Sequence, residues 1–166
     1  MNNKGKIYSF DLHENKLSLV RSSAQRLGID IIETAAHDGR VPIPELIGKA
    51  DKVICDVPCS GFGVLGKKPE LRYKDPALSK NLPDIQRDIL DNACNYVKSG
   101  GILVYSTCTL LPEENEKIIQ AFLIDHPEFC AYEWQVGKVH APSGYLTLYP
   151  HVHQTDGFFI AKLIKK

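Results

Sequence analysis

The run Val53-Ile54-Cys55, continuing into Asp56-Val57-Pro58-Cys59-Ser60-Gly61-Phe62-Gly63, decides the fold. An apolar strand that gives way to a carboxylate, a proline, a thiol and a glycine-rich turn sets reactive groups beyond its carboxyl end, where α/β sheets build their sites. A second segment answers it. Gly101-Ile102-Leu103-Val104-Tyr105 runs into Ser106-Thr107-Cys108-Thr109, another strand with a cysteine at its end. Two thiols and an acid on neighbouring strand tips point to nucleophilic chemistry.

Outward from these segments, strand and helix patterns alternate. Lys6 to Phe10 reads as a strand closed by Asp11, and Leu17, Val20, Ala24 and Leu27 repeat at the spacing of one helix face, with Gly28 as its cap. Asp30 to Ala35 is a second strand, followed by the turn His37-Asp38-Gly39; Pro42 and Pro44 precede a short helix over Glu45 to Lys49, and Lys52 to Cys55 is the third strand. Beyond the first cysteine motif, Lys67 to Pro76 is a polar loop with the densest positive charge in the chain. Asp84 predicts the cap of a helix over Ile85 to Lys98, ended by Ser99-Gly100-Gly101. Pro112, backed by Glu113 and Glu114, opens a helix that buries Ile118, Ile119, Phe122 and Leu123 and stops at Pro127. Phe129 to Trp134 and Phe158 to Ile164 are a last pair of strands joined by a long loop. The pattern predicts a mostly parallel sheet covered on both faces, with an antiparallel edge.

The 166 residues suit a single domain, and 20 basic against 20 acidic side chains leave no overall basicity, so a nucleic-acid partner has to be met by a local patch. Five cysteines without a Cys-x-x-Cys pair favour reduced thiols in a cytosol. No signal peptide or membrane span is legible.

Several residues carry two readings. Asp11 is either a ribose acceptor or a helix cap, with Glu14 completing a capping box. Asp38 accepts from an exocyclic amine or satisfies its own turn. Asp56, closing an apolar strand, is expected to be partly desolvated and functional. Cys59 and Cys108 lie in turns where backbone amides can lower a thiol pKa, whereas Cys55, Cys94 and Cys130 read as small buried hydrophobes. Zinc on Cys59, Cys108, His151 and His153 would lack a ligand knuckle, so no metal is expected. Gly61 and Gly63 form no phosphate-binding signature.

Taken together, Asp56 to Gly61, Gln86, Ile89-Leu90, Ser99 to Thr109, Glu114-Asn115-Glu116 and Asp156-Gly157-Phe158-Phe159 resemble the RNA cytosine-C5 methyltransferases, and among them the bacterial members that act on 16S ribosomal RNA. The likeness runs from about Lys6 to the end. It implies a Rossmann-like methyltransferase sheet, S-adenosylmethionine as methyl donor and small-subunit ribosomal RNA as partner. It also implies Asp11 at the ribose, Asp38 at the adenine end, and Asp56 with Pro58 where donor and base meet. Cys108 becomes the nucleophile that adds to cytosine C6, Asp56 the contact to N3, and Cys59 the aid to product release. Lys67, Lys68, Arg72 and Lys74 would then hold RNA phosphates, against the plainer reading of a solvated charged loop.

The family's glycine-rich loop and first strand lie upstream of the ribose acid, and only ten residues precede Asp11. The expectation is therefore a methyltransferase catalytic domain over residues 1–166, truncated at its amino end and inactive by itself, whose unpaired sheet edges invite self-association. Two other readings remain open: a non-catalytic RNA- or protein-binding module on the same fold, and a thiol-redox protein that bridges Cys59 and Cys108.

Overall fold

The structure, a computed structural model, describes the backbone of residues 1–166 and the side chains of all but residues 76 and 78. The chain forms two compact units, residues 1–42 and 43–166.

The first unit is one strand-helix-strand repeat: β1 (Ile7–Asp11), α1 (Glu14–Arg26) and β2 (Ile32–Ala36). The strands pair in parallel from Ile7↔Ile32 to Asp11↔Ala36. Helix α1 buries Leu17 and Ala24 from the expected stripe, while Leu27 stays exposed past the last turn. Gly28 sits at φ +65°, and Ile29 N–H bonds back to Ala24 O while Gly28 N–H reaches Gln25 O. That pair of bonds is a Schellman close, which requires the left-handed residue that glycine supplies. The helix N-cap is His13, so the capping-box reading of Asp11 is corrected.

The second unit contains, in chain order, β3 (Ala50–Asp56), α2 (Leu82–Ala93), β4 (Val97–Thr107), α3 (Glu116–Asp125), β5 (Phe129–Ala131), β6 (Trp134–Val136), β7 (Val139–Ala141), β8 (Tyr145–Leu148), α4 (Pro150–His153) and β9 (Phe158–Lys165). Its sheet runs β3-β4-β9-β5. The β3–β4 pair is parallel, and β9 lies antiparallel to β4, as the final strands were expected to. Strands β8 and β5 follow one another along the other edge of β9.

Burial alternates along the two central strands. Leu103, Tyr105, Phe159, Ala161 and Leu163 face a core completed by Leu90, Ala93 and Cys94 at the end of α2 and by Ile118, Ile119 and Phe122 of α3. The opposite face is only half covered, and Ile54 on β3 is 73% exposed there, so cover on both faces is not met within this unit.

Three expectations need correction. Helix α2 begins at Leu82 with Asp84 in its first turn, not as its cap, and Val97 already belongs to β4, because the segment after a 3₁₀ turn at Cys94–Tyr96 pairs with Ala50 across a bulge. Pro112 opens a turn ahead of α3 instead of its first helical position: Asn115, at φ −119° and ψ −101°, is drawn out of helical geometry by bonds to Thr107 and Thr109. The expected long loop holds the β6–β7 hairpin and β8, since Trp134 Nε1 donates to Gly144 O and turns the chain back. Among the described residues no helix is long and apolar enough to cross a membrane.

A two-stranded sheet with one helix buries too little to hold its amides closed. Hydrogen exchange followed by mass spectrometry should therefore open β1 and β2 well before β4 and β9.

Candidate active site

Register brings three segments to one rim of the second unit. Asp56 lies level with Ser106 at the ends of β3 and β4, and Thr107 lies level with Phe159 at the start of β9. Just beyond, the Cys59 and Cys108 sulfurs are 3.2 Å apart, and Cys108 N–H donates to Cys59 Sγ at 3.3 Å. Both cysteines are free and half-buried.

The contact depends on glycine. Gly63 N–H donates to Cys108 O at 2.9 Å, and Gly157 N–H donates to Gly63 O at 2.8 Å, so all three segments are joined through backbone. A Cβ on Gly63 would lie 2.0 Å from Gly157 O and 2.8 Å from Cys108 O. No rotamer relieves a clash with backbone.

Beneath the Cys59 loop lies a buried polar network. Gln86 Nε2 donates to Pro58 O (2.9 Å) and Glu114 Oε2 (2.8 Å), and the same carboxylate oxygen accepts Ser60 N–H at 2.9 Å. Tyr105 O–H donates to Glu114 O at 2.6 Å, and Ser60 and Thr109 share a hydroxyl bond of 2.7 Å between the two cysteine loops. The sequence reading misses these roles: it takes Glu114 as a first-turn acid and, with Gln86, as part of the family likeness, and assigns neither a contact. A signal existed, because Gln86 shares the α2 stripe with Leu90 and Ala93, and a polar residue in such a stripe needs partners.

Asp56 departs from expectation. It is exposed, not desolvated, because its strand is the outer one, and Ser106 Oγ donates to it at 3.3 Å. The thiol expectation is also corrected at Cys59. Burial pushes this thiol up to about 12, the adjoining Cys108 sulfur pushes the same way, and the Cys108 N–H opposes them. Cys59 therefore keeps its proton. Burial likewise raises Cys55 to about 12 and Cys94 to about 11, in keeping with inert core thiols, while Cys130 is only half-buried.

In the first unit, Asp11 closes β1 and Asp38 lies two residues past the end of the parallel β2. Asp11 Oδ1 accepts His13 N–H at 2.8 Å, and that bond, helped by Lys16, holds the carboxyl below its usual range. Asp38 is gripped by Arg40, whose guanidinium and N–H both bond it and bring it down to about 2.

The basic loop divides in two. Lys67 pairs with Asp156 at 2.5 Å, and Lys74 Nζ donates to Ser60 O at 3.1 Å, so both cations pin the loop to the site. Lys68 and Arg72 are exposed and have no ion pair among the described residues. His153 Nδ1 accepts Tyr149 N–H, and among the described residues no group of three or more His, Cys, Asp or Glu could hold a metal.

The sequence profile of the 16S rRNA methyltransferase RsmB/F family matches residues 1–164. The chain belongs to this methyltransferase family. The probable ribosomal RNA small subunit methyltransferase B of Bacillus subtilis is 41% identical over 174 residues, which cover 100% of this chain and 39% of that protein. Its namesake in Yersinia pseudotuberculosis is 38% identical across 98% of this chain and 37% of its own length. The chain thus spans well under half of these RsmB/F relatives. Among solved structures, NSun6 from Pyrococcus horikoshii with SFG is 35% identical, with a TM-score of 0.84 over 98% of this chain and 42% of that one. A methyltransferase homologue from the same organism is also 35% identical, with a TM-score of 0.81 over 100% of this chain and 55% of that one.

Gly63→Ala should cost about 1–3 kcal/mol by forced overpacking, read as a lower urea midpoint with unchanged slope. Alkylation of Cys59, followed by peptide mass spectrometry, should stay slow up to about pH 11 and rise at lower pH in Cys108→Ala, where the neighbouring sulfur no longer raises it.

Proposed function

We propose that these residues methylate C5 of a cytosine in small-subunit ribosomal RNA through a covalent cysteine adduct. The observation that carries the reading is the 3.2 Å approach of the Cys59 and Cys108 sulfurs at the rim that also holds Asp56. Cytosine C5 is a poor nucleophile. A bond from the Cys108 thiolate to C6 pushes the ring electrons toward C5 and N3, which splits one hard step into two easier ones. Asp56, exposed and held by a single donor, is free to share a proton with N3 and offset the charge that builds there. After C5 is methylated, its proton passes to a water molecule acting as base, the C5–H electrons restore the C5–C6 double bond, the C6–S bond breaks, and the Cys108 thiolate departs. Cys59 stands against that sulfur with its own proton retained, so it can donate a hydrogen bond to the leaving thiolate. The target base has to be unstacked for both faces to be reached.

S-adenosylmethionine, when bound, supplies the electrophilic methyl group. Asp11 fits its ribose: Oδ1 bonds one backbone N–H and Oδ2 only Lys16 at 3.3 Å, leaving acceptor capacity for hydroxyls. Arg40 takes both oxygens of Asp38 with four bonds, so its guanidinium gives way when Asp38 accepts from an exocyclic amine, and Pro58 is assigned to the junction with the base. Lys67, Lys68, Arg72 and Lys74 give the RNA backbone a positive approach, and the free thiols suit a reducing cytoplasm. The open edge of β3 is the place where a further strand, from another copy or another segment, would pair.

A second reading is favoured by the same sulfur contact: a dithiol that passes two electrons and two protons to an external disulfide by thiol exchange and closes as the Cys59–Cys108 disulfide. Methyl incorporation into unmodified 16S ribosomal RNA, measured on the natural polypeptide carrying these residues, separates the two. Cys108→Ser should abolish transfer, and Cys59→Ala should accumulate a denaturation-resistant protein-RNA adduct. Full transfer by Cys108→Ser would end the covalent reading.

A further inference from the structure

Tyr73 ends the 3₁₀ turn Pro69–Tyr73 and is 92% exposed, more than any other large apolar side chain among the described residues. One bare aromatic is ordinary on a protein surface. What sets Tyr73 apart is its attachment. The next residue, Lys74, donates to Ser60 O, the carbonyl adjoining Cys59, and Lys74 Nζ also lies 6.0 Å from the centre of the Phe62 ring. Two residues earlier, Leu71 packs on the same loop: its Cδ1 would lie 3.3 Å from a Cβ on Gly61. Tyr73 is thus bracketed by two side chains that grip the Cys59 loop, and it rides on the site while its ring stays in water.

The charges around it are mostly positive, and Asp75, the acid that follows, spends one oxygen on Ala77 N–H. Lys68 and Arg72, on the same turn, are exposed and without ion pairs among the described residues, and Glu70 is the one acid between Lys67 and Lys74. A flat ring on a turn that also carries the uncommitted cations Lys68 and Arg72 is the chemistry that holds unpaired nucleic acid, with the ring stacking on a base and the cations meeting phosphates. A hydrophobic protein partner would be matched by an apolar patch, and Tyr73 has polar neighbours on both sides.

We propose that Tyr73 is a stacking platform for an unpaired RNA base neighbouring the target nucleotide, with Lys68 and Arg72 on the adjoining phosphates. The proposal rests on the RNA methylation reading for the identity of the polymer. It gives the loop a task that charge alone does not: it orients the strand as it enters the site. A sequence-tolerant base contact beside the target holds an unstacked strand in place without reading it.

Fluorescence anisotropy of a labelled, unstructured cytidine-containing oligoribonucleotide, titrated with the 166-residue chain, tests this. Tyr73→Ala should weaken binding about 5- to 150-fold, the range for loss of one base stack, with an unchanged salt slope. Tyr73→Phe should bind as the parent does. Arg72→Ala should instead make the salt slope shallower by roughly 0.7, the value for one cation on a single strand. The platform is overturned if Tyr73→Ala binds like the parent, if Tyr73→Phe loses as much as Tyr73→Ala, or if the parent chain binds no unpaired RNA. Unpaired RNA bound through Tyr73 yet never methylated by the natural polypeptide breaks the methylation reading alone; methylated RNA held equally by Tyr73→Ala breaks the platform alone.

Discussion

Three backbone segments meet where no side chain can fit. Gly63 threads between the carbonyl of Cys108 and the peptide of Gly157, bonded to both, and a single methyl group there would overlap backbone on either side. The constraint is steric before it is chemical. It fixes how closely the loop leaving β3 approaches the loop leaving β4, and so fixes the distance between the two sulfurs. It also draws the start of β9 to the same rim, which lets Asp156 hold Lys67 and anchor the basic loop.

The buried polar network makes that approach rigid. A carboxylate carried into the core costs several kcal/mol unless donors meet it. Glu114 Oε2 meets Gln86 and the Ser60 N–H, and the Glu114 carbonyl takes the Tyr105 hydroxyl, while Oε1 is buried with no hydrogen-bond partner among the described residues. Because one of those donors is backbone of the Cys59 loop, the energy that stabilises the buried acid also holds the loop in one conformation. Asn115 does the same for the Cys108 loop through Thr109 O, at the expense of helical geometry in its own turn. A site built this way keeps its groups placed before a substrate arrives, the condition for catalysis by positioning.

Electrostatics then sets the state of Cys59: the two sulfurs touch, and burial together with the neighbouring sulfur leaves Cys59 protonated. Reading turns and amides along the chain pointed the other way for Cys59, because desolvation depends on what covers a group in space. Asp56 shows the converse. An apolar strand suggested a desolvated acid, yet β3 is the outermost strand of its sheet and leaves that acid in water.

Taken alone, the sequence determined the strand-helix alternation, the glycine close of α1 and the two cysteine-bearing strand tips, all of which depend on local periodicity and on conformations few residues adopt. It also carried the glycines at 63 and 157, though without saying what they approach. Tertiary structure alone decided that Trp134 folds a hairpin into an apparent loop, that Gln86 and Glu114 support the Cys59 turn, and that Cys59 keeps its proton. Those outcomes are set by contacts between residues distant in the chain, and by the burial that follows from them, which no spacing along the sequence encodes.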